Sequence, residues 1–286
     1  MGLRDSIMNG LRLKLTFERL SHIPKRVHQD CHIASLIKNW REVLYSKLTG
    51  KPVELTKFRS GLVLHSPPQV NLNCLFHEVW LDKIYCPPGY EIEKNNTVID
   101  IGANIGVFAV YAATSASNVE VLAFEPFPEN TDWLRRNVSE SNLSNVTVYQ
   151  KAVAGVTEER ILQTCDSWIM HSLSETTGEK SELTNENGNS IHVQCVGFND
   201  IIERIPKCDL LKIDCEGSEY EIFCSSSPET LKKIKRIVGE YHPLDKDRKN
   251  GKALCNYLES KGFDITHIMT YEDDCGIFCA TNKNSG

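Results

Sequence analysis

Acidic side chains stand at the ends of several predicted strands, where they could take part in chemistry. The polar groups at these ends are Asp100, Asn104, Glu125, Lys151, Asp214, Glu216, Glu240 and His242, an acidic cluster with one lysine and one histidine. In open α/β sheets, ligands bind at the carboxyl ends of the strands, so we expect these groups to meet around one crevice. A carboxylate or an imidazole in such a place can act as a general base. His242 is the first choice for that role, and Asp214 and Glu216 come second.

A glycine turn follows the first of these strands. Residues 97–101 are mostly apolar and β-branched, which predicts a buried parallel strand, and a helical pattern begins at Val107. Between them, Gly102 and Gly106 are expected to let the backbone approach a ligand where a Cβ atom would collide. A dinucleotide site would read G-x-G-x-x-G, but the second and third glycines are replaced by Asn104 and Val107. The strand, turn and helix therefore predict a nucleotide-type site that fits a pyrophosphate poorly.

The charge beside the turn favours a cationic ligand. Asp100 would repel a pyrophosphate but attract S-adenosylmethionine, which carries a sulfonium and an ammonium group. Glu125 lies 19 residues after Gly106, where an acidic side chain can accept hydrogen bonds from both ribose hydroxyls. Nicotinamide enzymes share this second feature, so it supports an adenosine site without separating the two cofactors. The residues favour a methyl-donor site, with an NAD-dependent oxidoreductase or a non-catalytic adenosine-binding scaffold as alternatives.

Methyl transfer to an alcohol would make two demands on this end of the sheet. The acceptor must be held in line with the sulfonium methyl group, and its proton must leave as the new bond forms. One hypothesis gives that proton to a positioned base. The other places a divalent cation on Asp214 and Glu240, where oxygen ligands would suit magnesium and the metal would lower the pKa of the hydroxyl. The sequence does not separate the base from the metal.

The surrounding elements can be predicted from their periodicity. Strand and helix patterns alternate five times from residue 97 and end in a hairpin at 263–281, which predicts a doubly wound α/β domain. Its sheet should be mainly parallel with one reversed strand. A polar stretch at 171–190, between two added strands at 159–165 and 191–197, is expected to be a substrate lid or an unstructured loop.

A separate cap is predicted before this domain, with the boundary between residues 1–69 and 70–286. It contains a basic amphipathic helix within 1–30, a helix at 33–48 and a hairpin at 53–65, and a further helix is predicted at 72–85. The first helix could contact a membrane surface, its own protein or a sister subunit. Homo-oligomerisation through the N-terminal helices is therefore one expectation.

Composition excludes several function classes. The 286 residues are 41% hydrophobic and 24% charged, which is typical of a globular protein with a sizeable core. A net charge of −6 argues against a general nucleic-acid binder, although residues 1–60 hold 12 Lys and Arg against 5 Asp and Glu. The 11 cysteines include no C-x-x-C pair and are expected to be reduced thiols of a cytoplasmic protein. No apolar run is long enough to be predicted as a transmembrane segment.

Two motifs together resemble the FkbM family of S-adenosylmethionine-dependent methyltransferases. They are VIDIGANIGVFAVYAA (98–113) and LLKIDCEGSEYEI (210–222), and the second is the more specific because K-I-D-x-E-G-x-E is not a generic nucleotide-fold pattern. Other stretches similar to the family are HEVWLDKIY (77–85), FEPFPEN (124–130), Asn137, Ala152 and Glu240-Tyr241-His242. The resemblance covers roughly residues 70–282.

The resemblance implies a Rossmann-like class I methyltransferase fold with a seven-stranded sheet, and O-methylation of a small molecule such as a sugar, polyketide or peptide natural product. It implies that S-adenosylmethionine is held by Asp100, Gly102, Asn104, Gly106, Glu125 and Ala152, with Glu78 and Tyr85 near its methionine end. By the same comparison, Asp214, Glu216 and His242 would face the acceptor. Cys215 departs from the family pattern, which more often has an aliphatic residue there.

Overall fold

The computed structural model describes residues 23–164, 171–173, 190–245, 249–271 and 274–284. Most of the predicted N-terminal basic helix lies outside the described residues. Among those that are described, every helix is too short or too polar to cross a bilayer.

The described elements alternate between strands and helices after a helical start. The helices are α1 (Ile23–Leu36), α2 (Trp40–Thr49), α3 (Leu72–Phe76), a π-helical turn (His77–Leu81), α4 (Val107–Ser115), α5 (Pro128–Glu140), α6 (Phe198–Glu203), α7 (Glu219–Cys224), α8 (Pro228–Lys232) and α9 (Gly251–Ser260). The strands are β1 (Leu55–Lys57), β2 (Val63–His65), β3 (Thr97–Ile101), β4 (Glu120–Phe124), β5 (Val146–Tyr149), β6 (Ala152–Ala154), β7 (Glu159–Thr164), β8 (His171–Leu173), β9 (Ser190–Gly197), β10 (Leu210–Ile213), β11 (Arg236–Tyr241), β12 (Phe263–Thr270) and β13 (Gly276–Asn282).

Seven strands form the central sheet in the order β12-β13-β11-β10-β3-β4-β5. β13 pairs antiparallel with both of its neighbours, whereas the other pairings in this sheet are parallel. This confirms the Rossmann-like class I methyltransferase fold with one reversed strand. Ile101 is in register with both Ile213 and Phe124, so β3, β10 and β4 end at the same level. The residues that follow these strands are therefore brought to one edge, as the sequence predicted.

A second sheet has the order β6-β9-β7-β8. It contains the added pair that the sequence predicted, since β7 and β9 run antiparallel from Glu159 opposite Gln194 to Gln163 opposite Ser190. β8 pairs with β7 at residues 171–173, so the start of the predicted polar loop is a strand. The remainder of that stretch, 174–189, lies outside the described residues, and its assignment as a lid stays a prediction.

The helix predicted at 33–48 is two helices, α1 and α2. The chain is interrupted because Ile37 forms a bridge with Phe58 of the hairpin, and the Asn39 side chain bonds the backbone of Leu55 and Lys57. The predicted hairpin at 53–65 is confirmed as β1 and β2. The helix predicted at 72–85 is shorter, because α3 passes into the π-helical turn, which ends at Leu81.

The cap shares its core with the sheet. Ile33, Val43 and Leu64 belong to the same buried cluster as Val98 and Val110. Because this cluster spans both parts of the chain, the domain boundary after residue 69 stays a prediction from the sequence. On the outer side of α1 and α2, three apolar residues are exposed, namely Val27, Tyr45 and Leu48. Oligomerisation through these helices stays a prediction.

Candidate functional site

A crevice of about 500 Å³ opens at the carboxyl ends of the central strands. Its walls come from the glycine turn, the ends of β4, β10 and β11, the start of β6, and the segment from α3 to residue 85. Eight predicted site residues line it, namely Glu78, Tyr85, Gly102, Asn104, Glu125, Ala152, Asp214 and Glu216. The other three, Asp100, Gly106 and His242, are not among the residues that line it. The structure thus brings most of the predicted polar groups together around one hollow.

Both glycines of the turn adopt left-handed backbone conformations, with φ of +74° at Gly102 and +87° at Gly106. A Cβ on Gly102 would lie 1.7 Å from the backbone oxygen of Asp214, and one on Gly106 would lie 2.3 Å from a methyl group of Leu134. The expected reason for these glycines was the approach of a ligand. The structure gives a different reason, because the space that each side chain would need is filled by the protein itself. Contact of either glycine with a cofactor stays a prediction.

Glu125 is buried at the end of β4, on one side of the crevice. Its carboxylate accepts hydrogen bonds from the backbone N–H groups of Asn104, at 2.8 Å, and Phe127, at 3.0 Å. Burial raises the pKa of Glu125 to about 7, and the two N–H donors oppose that rise. Glu125 therefore links the glycine turn to the end of β4, and its carboxyl group is partly ionised near neutral pH.

Asp100 is fully buried, and its partner is a lysine that sequence reasoning missed. Lys212 Nζ lies 3.2 Å from Asp100 Oδ1 and 3.7 Å from Asp214 Oδ2. Burial raises the pKa of Asp100, and the Lys212 ammonium opposes that rise. The expected attraction of Asp100 for a cationic ligand is thus offset by a cation of the protein. A lysine in the apolar run 210–213 was the signal in the sequence that pointed to such a partner.

Tyr85 joins two carboxylates at the other end of the crevice. Its hydroxyl donates to Glu240 Oε1 at 2.5 Å and is 3.3 Å from Asp214 Oδ2. Burial and the charges of both carboxylates hold the pKa of Tyr85 well above its ordinary value. Burial and the Asp214 charge also raise the pKa of Glu240. At the rim, partial desolvation and the Asp214 charge raise the pKa of Glu78. This end is a set of closely spaced acids around one phenol.

His242 lies just behind these acids. Its Nδ1 is 3.2 Å from Glu219 Oε1, and its Nε2 is 3.5 Å from Glu216 Oε2. Burial lowers the pKa of His242, but the hydrogen bond with Glu219 and the two carboxylate charges raise it to about 9. A general base must be unprotonated before it acts, so these contacts disfavour that role at neutral pH. Asp214 and Glu216 face the crevice directly, and the choice among the three stays a prediction.

Three of these residues could also hold a metal. Asp214, Glu240 and His242 each offer one ligand atom, and these atoms lie within 4.8 Å of one another. Two carboxylate oxygens fit a hard divalent cation, although the Tyr85 hydroxyl already donates to Glu240 and lies 3.3 Å from Asp214 Oδ2. The site is therefore compatible with a base or a cation, as the sequence left it.

The sequence is similar to that of several known methyltransferases. The model of the methyltransferase FkbM domain family matches residues 100–276. The chain is 29% identical over 219 residues to the 31-O-demethyl-FK506 methyltransferase FkbM of Streptomyces tacrolimicus, covering 68% of this chain and 83% of that protein. It is 25% identical over 229 residues to Methyltransferase 1 of Beauveria bassiana, covering 74% and 90%. Hexuronic acid methyltransferase AglP of Haloferax volcanii is 25% identical over 154 residues, covering 53% and 58%.

Proposed function

The chain belongs to the FkbM methyltransferase family, and we propose that it transfers the methyl group of S-adenosylmethionine to a hydroxyl group of a small molecule. The observation that carries this proposal is the crevice itself. The buried acid Glu125 follows β4, on one side of β3, whereas Asp214 and Glu240, which Tyr85 contacts, belong to the ends of β10 and β11 on the other side. An adenosine on the first side would bring a sulfonium methyl group towards the second.

In this proposal, the cofactor is bound mainly by residues of the crevice wall. Glu125, whose carboxylate is already fixed by backbone N–H groups, would accept hydrogen bonds from the ribose hydroxyls. Asn104, Ala152, Glu78 and Tyr85 line the crevice; the first two would flank the nucleoside and the last two would lie towards the methionine end. Asp100 and Gly106 do not line the crevice, and they would act indirectly through the turn that begins at Gly102.

Methyl transfer would follow at the acidic end. The acceptor oxygen attacks the methyl carbon, the carbon–sulfur bond breaks, and S-adenosylhomocysteine is released while the hydroxyl proton passes to a base. Asp214 and Glu216 face the crevice and can receive that proton directly. His242, held between Glu216 and Glu219, can receive it only after losing its own. A divalent cation on Asp214 and Glu240 is the alternative to this base.

The acceptor class follows from charge and from the relatives. Lys212 lines the crevice beside the acidic end, but it is buried and paired with Asp100. The carboxylates of Glu78, Asp214, Glu216 and Glu240 therefore favour an acceptor that is uncharged around the reacting hydroxyl. The relatives' names give 31-O-demethyl-FK506 and a hexuronic acid as substrates, which supports a small-molecule acceptor.

The proposal is tested first by cofactor binding. We expect the purified protein to bind S-adenosylhomocysteine in calorimetry and to be thermally stabilised by it. A thermal shift with NAD and none with S-adenosylhomocysteine would instead favour an oxidoreductase. Turnover is then tested by incubating the protein with methyl-labelled S-adenosylmethionine and a panel of neutral hydroxyl compounds. Asp214→Asn should abolish label transfer while cofactor binding survives, whereas a scaffold would show no label transfer in either form.

A further inference from the structure

Lys212 is a buried cation in the middle of the sheet. It lies between Leu211 and Ile213 in β10, and only 3% of its surface is exposed. An ammonium group in such surroundings is strongly unfavourable unless charges and hydrogen bonds compensate it. Its Nζ lies 3.2 Å from Asp100 Oδ1 and 3.7 Å from Asp214 Oδ2, so two carboxylates compensate its charge. The lysine is therefore held as a cation.

The contacts of this ammonium converge on the glycine turn. Its Nζ donates to the backbone oxygen of Gly102 at 2.7 Å and is 3.4 Å from that of Ile101. These two oxygens belong to the last residue of β3 and the first residue of the turn. The same turn packs against β10, because the missing Cβ of Gly102 faces the backbone oxygen of Asp214. Lys212 thus joins the glycine turn to the neighbouring strand β10.

On the crevice side, the same ammonium touches two residues of the acidic end. It lies 3.7 Å from Asp214 Oδ2 and 5.2 Å from the centre of the Tyr85 ring. Tyr85 in turn bonds Asp214 and Glu240. One side chain therefore links the turn at the cofactor side to the acids at the acceptor side.

We propose that Lys212 is a positioning residue of the cofactor site, which holds the glycine turn against β10 and fixes Asp214 and Tyr85 across the crevice. This inference rests on the proposed function for the identity of the cofactor. It gives Asp100 an indirect role, because the Asp100 carboxylate pairs with the Lys212 ammonium and holds it in place. It also accounts for the absence of Asp100 from the crevice wall.

The test compares two buried cations on neighbouring strands. Arg236 is 7% exposed and bonds the backbone oxygens of Gly89, Glu91 and Asp209, none of which lines the crevice. We expect Lys212→Met and Arg236→Met both to lower the melting temperature. Only Lys212→Met should weaken S-adenosylhomocysteine binding, by about tenfold or more, because a turn that moves misplaces its ligand groups.

A double variant separates positioning from stability. Asp100→Asn combined with Lys212→Met removes both charges, so it should regain part of the stability that Lys212→Met loses. Its affinity for S-adenosylhomocysteine should stay low, because the bond to Gly102 is still missing. The inference would be overturned if Lys212→Met bound S-adenosylhomocysteine within about twofold of the wild-type affinity. If Lys212→Met does not fold, the same criterion applies to the double variant.

A second measurement does not depend on the cofactor. Amide hydrogen exchange of residues 102–106 should accelerate about tenfold in the double variant and stay unchanged in Arg236→Met. Unchanged exchange in the double variant would refute the positioning role even if the wild type bound no S-adenosylhomocysteine. A wild type that fails to bind would overturn the proposed function instead, so the two failures are distinguishable.

Discussion

The Nδ1 atom of His242 lies 3.2 Å from Oε1 of Glu219, a carboxylate with no exposed surface. The same oxygen accepts the backbone N–H of Cys215 at 3.0 Å. Glu219 therefore fixes both the imidazole and the chain that carries Asp214 and Glu216. Because the pKa of His242 is raised to about 9, the stabilisation from this pair is complete below about pH 6.5 and is lost as the pH rises through about 9.

Glu219→Gln should lower the pKa of His242 from about 9 towards its ordinary value of about 6.5, since the amide carries no charge. The titration can be followed by NMR of the imidazole protons. Glu203→Gln, which changes an exposed acid, is the matched control and should leave the titration unchanged. If His242 still titrates near 9 in Glu219→Gln, the contact does not set its protonation.

Cofactor binding should release protons from Glu125. Its pKa of about 7 means that part of the population is neutral at neutral pH. In the free protein, the contribution of Glu125 to stability is complete below about pH 4.5 and is lost as the pH rises through about 7. Ribose hydroxyls would donate to the carboxylate and favour its ionised form.

Calorimetry of S-adenosylhomocysteine binding near pH 7, in buffers with different heats of ionisation, should therefore detect release of a fraction of a proton. Glu125→Gln should reduce that release and weaken binding by about tenfold. Glu120→Gln removes an exposed acid from the start of the same strand and should change neither quantity. Equal proton release in Glu125→Gln and the wild type would show that another group titrates.

Substitutions of three glycines should destabilise the protein in a fixed order. Gly50→Ala meets no neighbour within the described part of the chain, so it should lose only the cost of its left-handed backbone, about 1 kcal/mol. Gly106→Ala adds a clash with Leu134, and Gly102→Ala adds a clash with the backbone of Asp214, which cannot yield. The order of destabilisation should be Gly50, then Gly106, then Gly102, measured by chemical denaturation.

The Gly106 clash should be relieved by a second change. Leu134→Ala destabilises alone because Leu134 is buried, but Gly106→Ala and Leu134→Ala together should lose about 1 kcal/mol less than the sum of the single effects. Gly50→Ala combined with Leu134→Ala should be additive. Additivity at both pairs would mean that the Gly106 cost is backbone strain alone.

The parts of the fold that the sequence predicted correctly rest on local patterns. The apolar run before Gly102 and the turn that follows it identify β3 and α4 without knowledge of any partner. Parallel pairing then places Asp100, Glu125 and Asp214 at one edge, because parallel strands end at the same side of a sheet.

The features that escaped prediction depend on residues far apart in the chain. Lys212 reaches Gly102 across 110 residues, and its role follows only from the register of β10 with β3. Likewise, the break between α1 and α2 is caused by the hairpin that packs on Asn39, 18 residues before Lys57. Periodicity reports which face of an element is buried, but it does not report which polar groups meet there.

The hairpin of the cap should depend on two side chains of α5. Asn137 is fully buried, accepts the backbone N–H of His65 at 2.7 Å, and donates to the oxygens of His65 and Ile105. Ser141 bonds both backbone groups of Val63. These side chains complete the free edge of β2 and tie it to the glycine turn through Ile105.

Asn137→Ala would leave buried backbone groups without partners and should reduce the free energy of unfolding by about 3 kcal/mol. Ser141→Ala should cost about 1 kcal/mol, and Ser139→Ala, on the exposed side of the same helix, less than about 0.5 kcal/mol. Chemical denaturation gives these values, and amide exchange at Val63 and His65 should accelerate only in the first two variants. Equal losses for Asn137→Ala and Ser139→Ala would contradict this account of cap docking.

Tyr85 should decide whether the acidic end of the crevice binds a divalent cation. Its hydroxyl bonds Glu240 at 2.5 Å and approaches Asp214 at 3.3 Å, so the oxygens that a cation would need already share a proton donor. Tyr85→Phe removes that donor and leaves two neighbouring carboxylates to repel each other, which a cation would relieve. We expect Mg²⁺ to bind Tyr85→Phe about tenfold more tightly than the wild type, with a matching rise in melting temperature.

Tyr257→Phe is the control. The Tyr257 hydroxyl bonds the backbone oxygen of Phe223, and its removal should leave Mg²⁺ binding as in the wild type. Calorimetric titration with Mg²⁺ after treatment with EDTA gives the affinities. Tight Mg²⁺ binding by the wild type, lost in Tyr85→Phe, would show that the phenol supports a metal site rather than replacing one, and the base hypothesis would give way to the metal.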